Sequence, residues 1–194
     1  MRLISKRQSS SLTHSSIRYD YDSKRQELVI RMPSAIHDMF LEDVKDDIKS
    51  QLKAIGNDDN VDVARNIKCK GSTDIKFETS KHSPDASFGY RNSKYPHLVI
   101  EVSYTQKQKD LKYLADTYIV DSNESIGVVI GLDIEYRGTK KAMLSVWRPN
   151  IVTEGGREYL ESQGTKSEVR FVLGIVPEEA NRKSHFEMKT ERVL

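Results

Sequence analysis

Ser83-Pro84-Asp85-Ala86-Ser87-Phe88 and, fifteen residues beyond that aspartate, Leu98-Val99-Ile100-Glu101-Val102-Ser103 decide how this 194-residue chain is read. The second segment is a compact apolar strand that follows Pro96 and carries one carboxylate near its end. The first is a short strand that opens on another carboxylate. Such a group beside an apolar run is costly unless it is paired or bound to a cation. Brought together on neighbouring strands, an Asp and a Glu make a hard-oxygen site suited to Mg²⁺, with water and a substrate phosphate completing the shell. An ion held there lowers the pKa of bound water and takes up charge on a scissile phosphodiester.

Working outward toward the N-terminus, Ser34 can cap a helix that follows Pro33, and Ile36, Phe40, Val44, Ile48 and Leu52 recur every four residues up to a stop at Gly56. Asp38, Glu42 and Asp46 mark its solvated face. On a 100° wheel His37, Asp47 and Gln51 fall within the apolar stripe, as satisfied buried groups or as site residues. Residues 17–32 alternate toward β structure, IRYDY and QELVIRM flanking the turn-like Asp22-Ser23-Lys24, as a hairpin or a bent edge strand. Residues 57–62 are expected as a loop, and VARNIKCK and STDIKFET as two strands divided by Gly71.

Toward the C-terminus, Leu111, Leu114, Ala115, Tyr118 and Ile119 mark one face of a helix over about residues 105–120, and this face continues backwards to Lys107 and Gln108. IGVVIGLDIEY is apolar on both sides and reads as a central strand, with KKAMLSVWRP as its hairpin partner. A polar stretch then leads to a last strand, VRFVLGIV. Asp74, Glu78, Asp133 and Glu135 read as exposed strand positions. The organisation is a Ser-rich basic arm over 1–16, one domain over 17–177 and a charged tail over 178–194.

Thirty-one Lys and Arg against twenty-nine Asp and Glu give a net charge of +2, which excludes the strongly basic type of nucleic-acid binder. No apolar run approaches the roughly 18 residues of a membrane helix, so no membrane partner is expected. The one cysteine, Cys69, has no partner for an internal disulfide, and MRLISKRQSS lacks the apolar centre of a signal peptide, so an intracellular setting, cytoplasm or nucleus, is expected. His14, His37, His82, His97 and His185 match no zinc spacing, and neither a Gly-rich phosphate loop nor a nucleophile elbow is present. Nothing in the sequence indicates a homodimer.

Pro84-Asp85, the fifteen-residue gap and Glu101-Val102-Ser103, set in this element order, resemble the PD-(D/E)XK nuclease superfamily, in particular its restriction endonuclease-like branch, from about residue 32 to Pro149. The resemblance implies an α/β (α+β) fold with an αβββαβ core, a central mixed sheet flanked by helices. It implies hydrolysis of DNA phosphodiesters with Mg²⁺, or Mn²⁺, held by Asp85 and Glu101. The superfamily pattern puts a lysine two residues after the glutamate, where this chain has Ser103. Lys107, on the inward face of the following helix, is the natural substitute for that amine. Arg91, Lys94, Lys109 and Lys112, interleaved with Tyr90, Tyr95, Tyr104 and Tyr113, form a candidate rim for nucleic acid. Gln106 and Gln108 are further site candidates, for a water or ligand. The alternative, kept open by Ser103, is a nuclease-like domain without catalysis that serves as a nucleic-acid or protein interaction module. A third reading, a small binding protein of unrelated α+β fold, would be supported by a separation of more than about 8 Å between Asp85 and Glu101, beyond the reach of one ion.

Overall fold

The computed structural model describes residues 18–31, 33–55, 61–103, 110–134, 141–172 and 187–190. The arm expected over 1–16 lies outside these residues.

The first hairpin forms as the alternation predicts, from β1 (Arg18–Asp22) and β2 (Glu27–Arg31), paired antiparallel from Arg18↔Arg31 to Asp22↔Glu27. Asp22 shapes its turn by accepting the N–H groups of Lys24 and Arg25 at 2.8 and 3.1 Å. The helix after Pro33 is α1 (Ala35–Ala54), and the Ser34 hydroxyl accepts the His37 N–H at 3.2 Å as the expected cap.

The next segment departs from expectation. Val61–Asn66 is a short helix, α2, and only β3 (Ile67–Cys69) of VARNIKCK is extended. Val63 is exposed and Ala64 buried, so the segment has no alternating face, while Asp62 and Arg65 favour the two poles of a helix. STDIKFET likewise contributes only β4 (Ile75–Lys76), followed by β5 (Ser80–His82) and β6 (Ala86–Tyr90).

β7 (Leu98–Ser103) and β8 (Val128–Ile134) run parallel, Glu101 beside Gly131, and α3 (Leu111–Asp121) makes the crossover between them. The helix starts at Leu111 and not near 105, because the Asp110 carboxylate accepts the Tyr113 N–H at 3.0 Å and caps it there. β9 (Lys141–Glu154) and β10 (Arg157–Val172) make one long hairpin where a polar connection was expected after Pro149. Gly155 and Gly156 turn it with φ of 58° and 77°, the left-handed values that a tight two-residue turn requires. Part of the expected charged tail, Glu187–Thr190, pairs with β10 as β11.

The result is a mixed α/β fold with few helices and two sheets. The larger is seven-stranded and mixed, in the order β11-β10-β9-β8-β7-β6-β3, and the smaller is antiparallel, β2-β1-β5-β4. Alternation along β7 divides the core. Val99 packs with Leu114, Ala115, Tyr118 and Ile119 of α3 on one face, while Ile100 and Val102 pack with Phe40, Leu41 and Val44 of α1 on the other. On the α3 side the Trp147 ring lies over two glycines of neighbouring strands. A Cβ on Gly131 would stand 2.6 Å from it and one on Gly164 would stand 2.4 Å from it.

Candidate functional site

Two neighbouring strands bring the two singled-out carboxylates to one end of the sheet. Asp85 immediately precedes β6, and Glu101 lies on β7, with Ala86 paired to Ile100. The Val102 N–H donates to Asp85 Oδ2 at 2.7 Å, which locks the aspartate against the strand that carries the glutamate. Glu101 is completely buried and follows Val99 onto the α3 face, where the Tyr118 hydroxyl donates to Oε1 at 2.7 Å. Burial, joined by the Glu101 charge, pushes the Tyr118 phenol well above its ordinary range, so it remains a proton donor to that carboxylate.

The cation between the carboxylates comes from the hairpin. Arg31, at the end of β2, places Nη1 2.6 Å from Glu101 Oε2 and 3.8 Å from Asp85 Oδ1. The sum of those distances is the most that can separate the two oxygens, so the wide separation that would have supported an unrelated fold is not found. The same guanidinium binds Asp20 of β1 through Nε, at 2.8 Å, and through Nη2. Burial works against its charge, but Glu101 and Asp20 more than offset this and hold its pKa above the usual arginine value. Asp20 in turn accepts the Ser83 N–H at 2.9 Å, and the Ser83 hydroxyl has two acceptors for its one proton, Asp74 Oδ1 at 2.7 Å and the Tyr19 carbonyl at 2.9 Å. Hence the loop that leads into Asp85 is stitched to β1.

Arg18 and His37 complete the surround. Arg18 Nη1 donates to Asp85 Oδ1 at 3.3 Å, and His37 Nε2 lies 3.3 Å from Asp85 Oδ2. His37 is buried in the first turn of α1, with Nδ1 3.1 Å from Asp38. Among the described residues, Asp20, Asp85 and Glu101 thus face the guanidiniums of Arg18 and Arg31 and the imidazoles of His37 and His82, the last 3.8 Å from Asp20.

The other candidates are distributed as follows. Asp47 and Gln51 are exposed, while Ile48 and Leu52 of the same turns are half-buried against the core. Arg91 and Lys94 are exposed on the turn between β6 and β7, at the far end of those strands, roughly 20 Å of extended chain from Asp85. Lys94 sits over the Tyr95 ring there. Lys112 is taken up by Asp116 at 2.7 Å and by the Ser162 carbonyl and hydroxyl, which tie α3 to β10. Lys107, Lys109, Gln106, Gln108 and Tyr104 lie outside the described residues. Ser103 is buried at the end of β7, level with Asp133.

Sequence reading missed Arg31, Arg18, Asp20 and Tyr118. The usable signal was RYDYD, where charged residues alternate at positions whose neighbours are tyrosines, so that one face of a half-buried strand had to be charged. Asp85 and Glu101 are the residues that could hold a divalent cation. No cluster of three or more His, Cys, Asp or Glu able to hold a metal exists among the described residues, so such an ion would draw its remaining ligands from water and substrate. No helix among the described residues is long and apolar enough to cross a membrane. No family model, no curated protein and no solved structure matches the chain.

Proposed function

We propose that the chain is a metal-dependent nuclease domain of the PD-(D/E)XK type, hydrolysing phosphodiester bonds of DNA at Asp85 and Glu101. The observation that carries the reading is the shared Arg31 nitrogen. Two carboxylates on adjacent strands bracket one point and already hold a cation at it. The parallel β7–β8 pair with its α3 crossover, flanked by antiparallel β6 and β9, supports the restriction endonuclease-like core.

The donor set fits Mg²⁺ or Mn²⁺ by type, two hard oxygen ligands with the remaining positions left to water and phosphate. Bound there, the ion would supply a nucleophilic water at neutral pH and charge for the transition state. Tyr118 fixes the rotamer of Glu101 through its hydroxyl, and the Val102 N–H fixes that of Asp85. His37 and Arg18 present cationic or hydrogen-bonding edges on the outer side of Asp85, where a phosphate oxygen would arrive. Lys107 is the amine assigned to the role that Ser103 cannot fill.

Supercoiled plasmid and single-stranded DNA incubated with the protein and Mg²⁺, Mn²⁺ or EDTA test the reading. Cleavage should require the metal and disappear in Asp85→Asn, and Lys107→Ala should lower turnover by a factor on the order of 10²–10⁴. Cleavage that persists in Asp85→Asn overturns the site. Metal-independent DNA binding with no cleavage under any condition would instead favour the interaction-module reading, which Ser103 supports.

A further inference from the structure

We propose that Arg31 is the built-in counter-cation of the Asp85–Glu101 pair and that a divalent ion enters the site only by displacing it, which releases the end of the β1–β2 hairpin. The inference rests on the metal-dependent reading above and concerns how that site is filled.

Exclusion follows from distance. A divalent ion binds carboxylate oxygen at about 2.0–2.1 Å. Nη1 of Arg31 already stands 2.6 Å from Glu101 Oε2 on the side that faces Asp85. An ion bridging the two carboxylates would therefore fall within van der Waals contact of a like charge, in a site where the Arg31 side chain is only 7% exposed and water screens little. One cation must leave. Exchange does not strand Asp85 and Glu101, because the entering ion carries the larger charge, and Asp20 keeps the Ser83 N–H at 2.9 Å and the His82 ring at 3.8 Å.

Release of the hairpin follows from how β2 is held. Among the described residues it is an edge strand that pairs only with β1, and Leu28, Val29 and Ile30 are all exposed. Among the described residues, the ion pairs of Arg31 with Asp85 and Glu101 are what fasten its end to the large sheet, and the pair with Asp20 ties it to β1. β1 has independent ties, through its pairing with β5 and through Tyr113, whose hydroxyl donates to Asp22. Displacement should therefore loosen β2 more than β1.

The test measures Mn²⁺ alone, without DNA, against the parent chain and the variants Arg31→Met and Arg31→Lys. Hydrogen exchange of the parent should speed up across residues 27–31 when Mn²⁺ is added, and stay near its metal-free value across β5. Calorimetry should give at least about tenfold tighter Mn²⁺ binding to Arg31→Met, since a competitor that occupies the site more than nine-tenths of the time is gone. Mn²⁺ should also raise the melting temperature of that variant more than that of the parent. Arg31→Lys, which keeps the charge, covers the case in which Arg31→Met does not fold, and should bind Mn²⁺ more tightly than the parent because one ammonium cannot bridge three carboxylates. Parent binding that leaves 27–31 unchanged or slows their exchange, or equal affinities across the series, would overturn the exchange while leaving the metal site standing. Absence of Mn²⁺ binding in parent and variants alike would overturn both.

Discussion

Leu28-Val29-Ile30-Arg31 and Leu98-Val99-Ile100-Glu101 are the same apolar tripeptide closed by opposite charges, and the two closing residues meet at 2.6 Å. Their apolar residues have opposite fates. Val99 and Ile100 are completely buried at the centre of a seven-stranded sheet, whereas Leu28 and Ile30 are about three-fifths exposed on the edge of a four-stranded one. Burial is thus decided by where a strand sits in its sheet and by what covers its two faces. The closing charges share one fate because each is buried only where the other can be reached. An arginine that ends an edge strand is ordinarily solvated, and here it is the counter-ion of the most deeply buried carboxylate among the described residues.

The sharpest way to break this pairing is to remove the glutamate. Glu101→Ala leaves Arg31 buried with Asp20 still beside it and Tyr118 without its acceptor, and should destabilise the fold by about 3–5 kcal/mol, the usual cost of breaking a buried pair from one side. Urea unfolding followed by circular dichroism measures it. A loss below about 1 kcal/mol would place the pair in water and contradict its burial.

Core packing comes next. Gly131→Ala would drive a methyl group into Trp147 and Leu111, whose nearest atoms stand 2.6 and 3.1 Å from the added Cβ. The Trp147 ring cannot retreat toward β10, since Gly164 is equally close. The expected cost is about 1–3 kcal/mol, read as a fall in the denaturation midpoint at unchanged slope.

Acid separates the two regions in another way. Burial tends to raise the Asp20 carboxyl, but the His82 ring at 3.8 Å, the Arg31 charge and the Ser83 N–H outweigh it and hold the folded pKa below its ordinary value. A depressed acid contributes stability that is complete above its unfolded pKa, about 3.9, and is lost as pH falls through the lower folded value. Parent stability should therefore drop below about pH 4, and Asp20→Asn should flatten that limb while lowering stability at neutral pH. Asp43 on α1 has the opposite sign. Partial burial and the charges of Asp47, Asp46 and Glu42 raise its pKa, so Asp43→Asn should be neutral or mildly stabilising at pH 7. Melting temperatures across pH 3–7 for the three proteins check both signs, and a steeper acid limb in Asp20→Asn would reverse the first.

How much of this could be read beforehand follows the same division. Ser34, the four-residue stripe of α1, the apolar runs of β7 and β8 and the two carboxylates were legible, because each belongs to an element buried on a face or two and its periodicity shows it. His37 was legible for the same reason, as a polar residue on an apolar stripe. Tyr118 was visible only as part of the α3 face, since periodicity gives the direction of a side chain but not the acceptor its hydroxyl meets. Arg31 was invisible, because an arginine beside the exposed Leu28, Val29 and Ile30 has the pattern of a solvated edge, whereas Arg18 and Asp20 left a trace in the alternation of RYDYD. The long β9–β10 hairpin was hidden differently. Ile151 and Tyr159 are exposed along it, so alternation is weak, and Gly155-Gly156 was the cue that remained.

The smallest expected effect is the most pointed, since it falls one residue from Arg31. Ile30 is 60% exposed and belongs to neither core cluster. Ile30→Thr keeps the β-branched shape that suits a strand, and should change stability by no more than about 0.5 kcal/mol, the range of surface substitutions away from special features. Ile100→Thr, at the corresponding place in β7, would bury a hydroxyl against Phe40 and Leu41 and should cost several times as much. Measured side by side in urea, the two substitutions isolate the place of the strand from the identity of the residue. Equal losses would mean that Leu28, Val29 and Ile30 are covered in solution by something that binds this edge, and the contrast between the two strands would then lie in what each is packed against, not in whether it is packed.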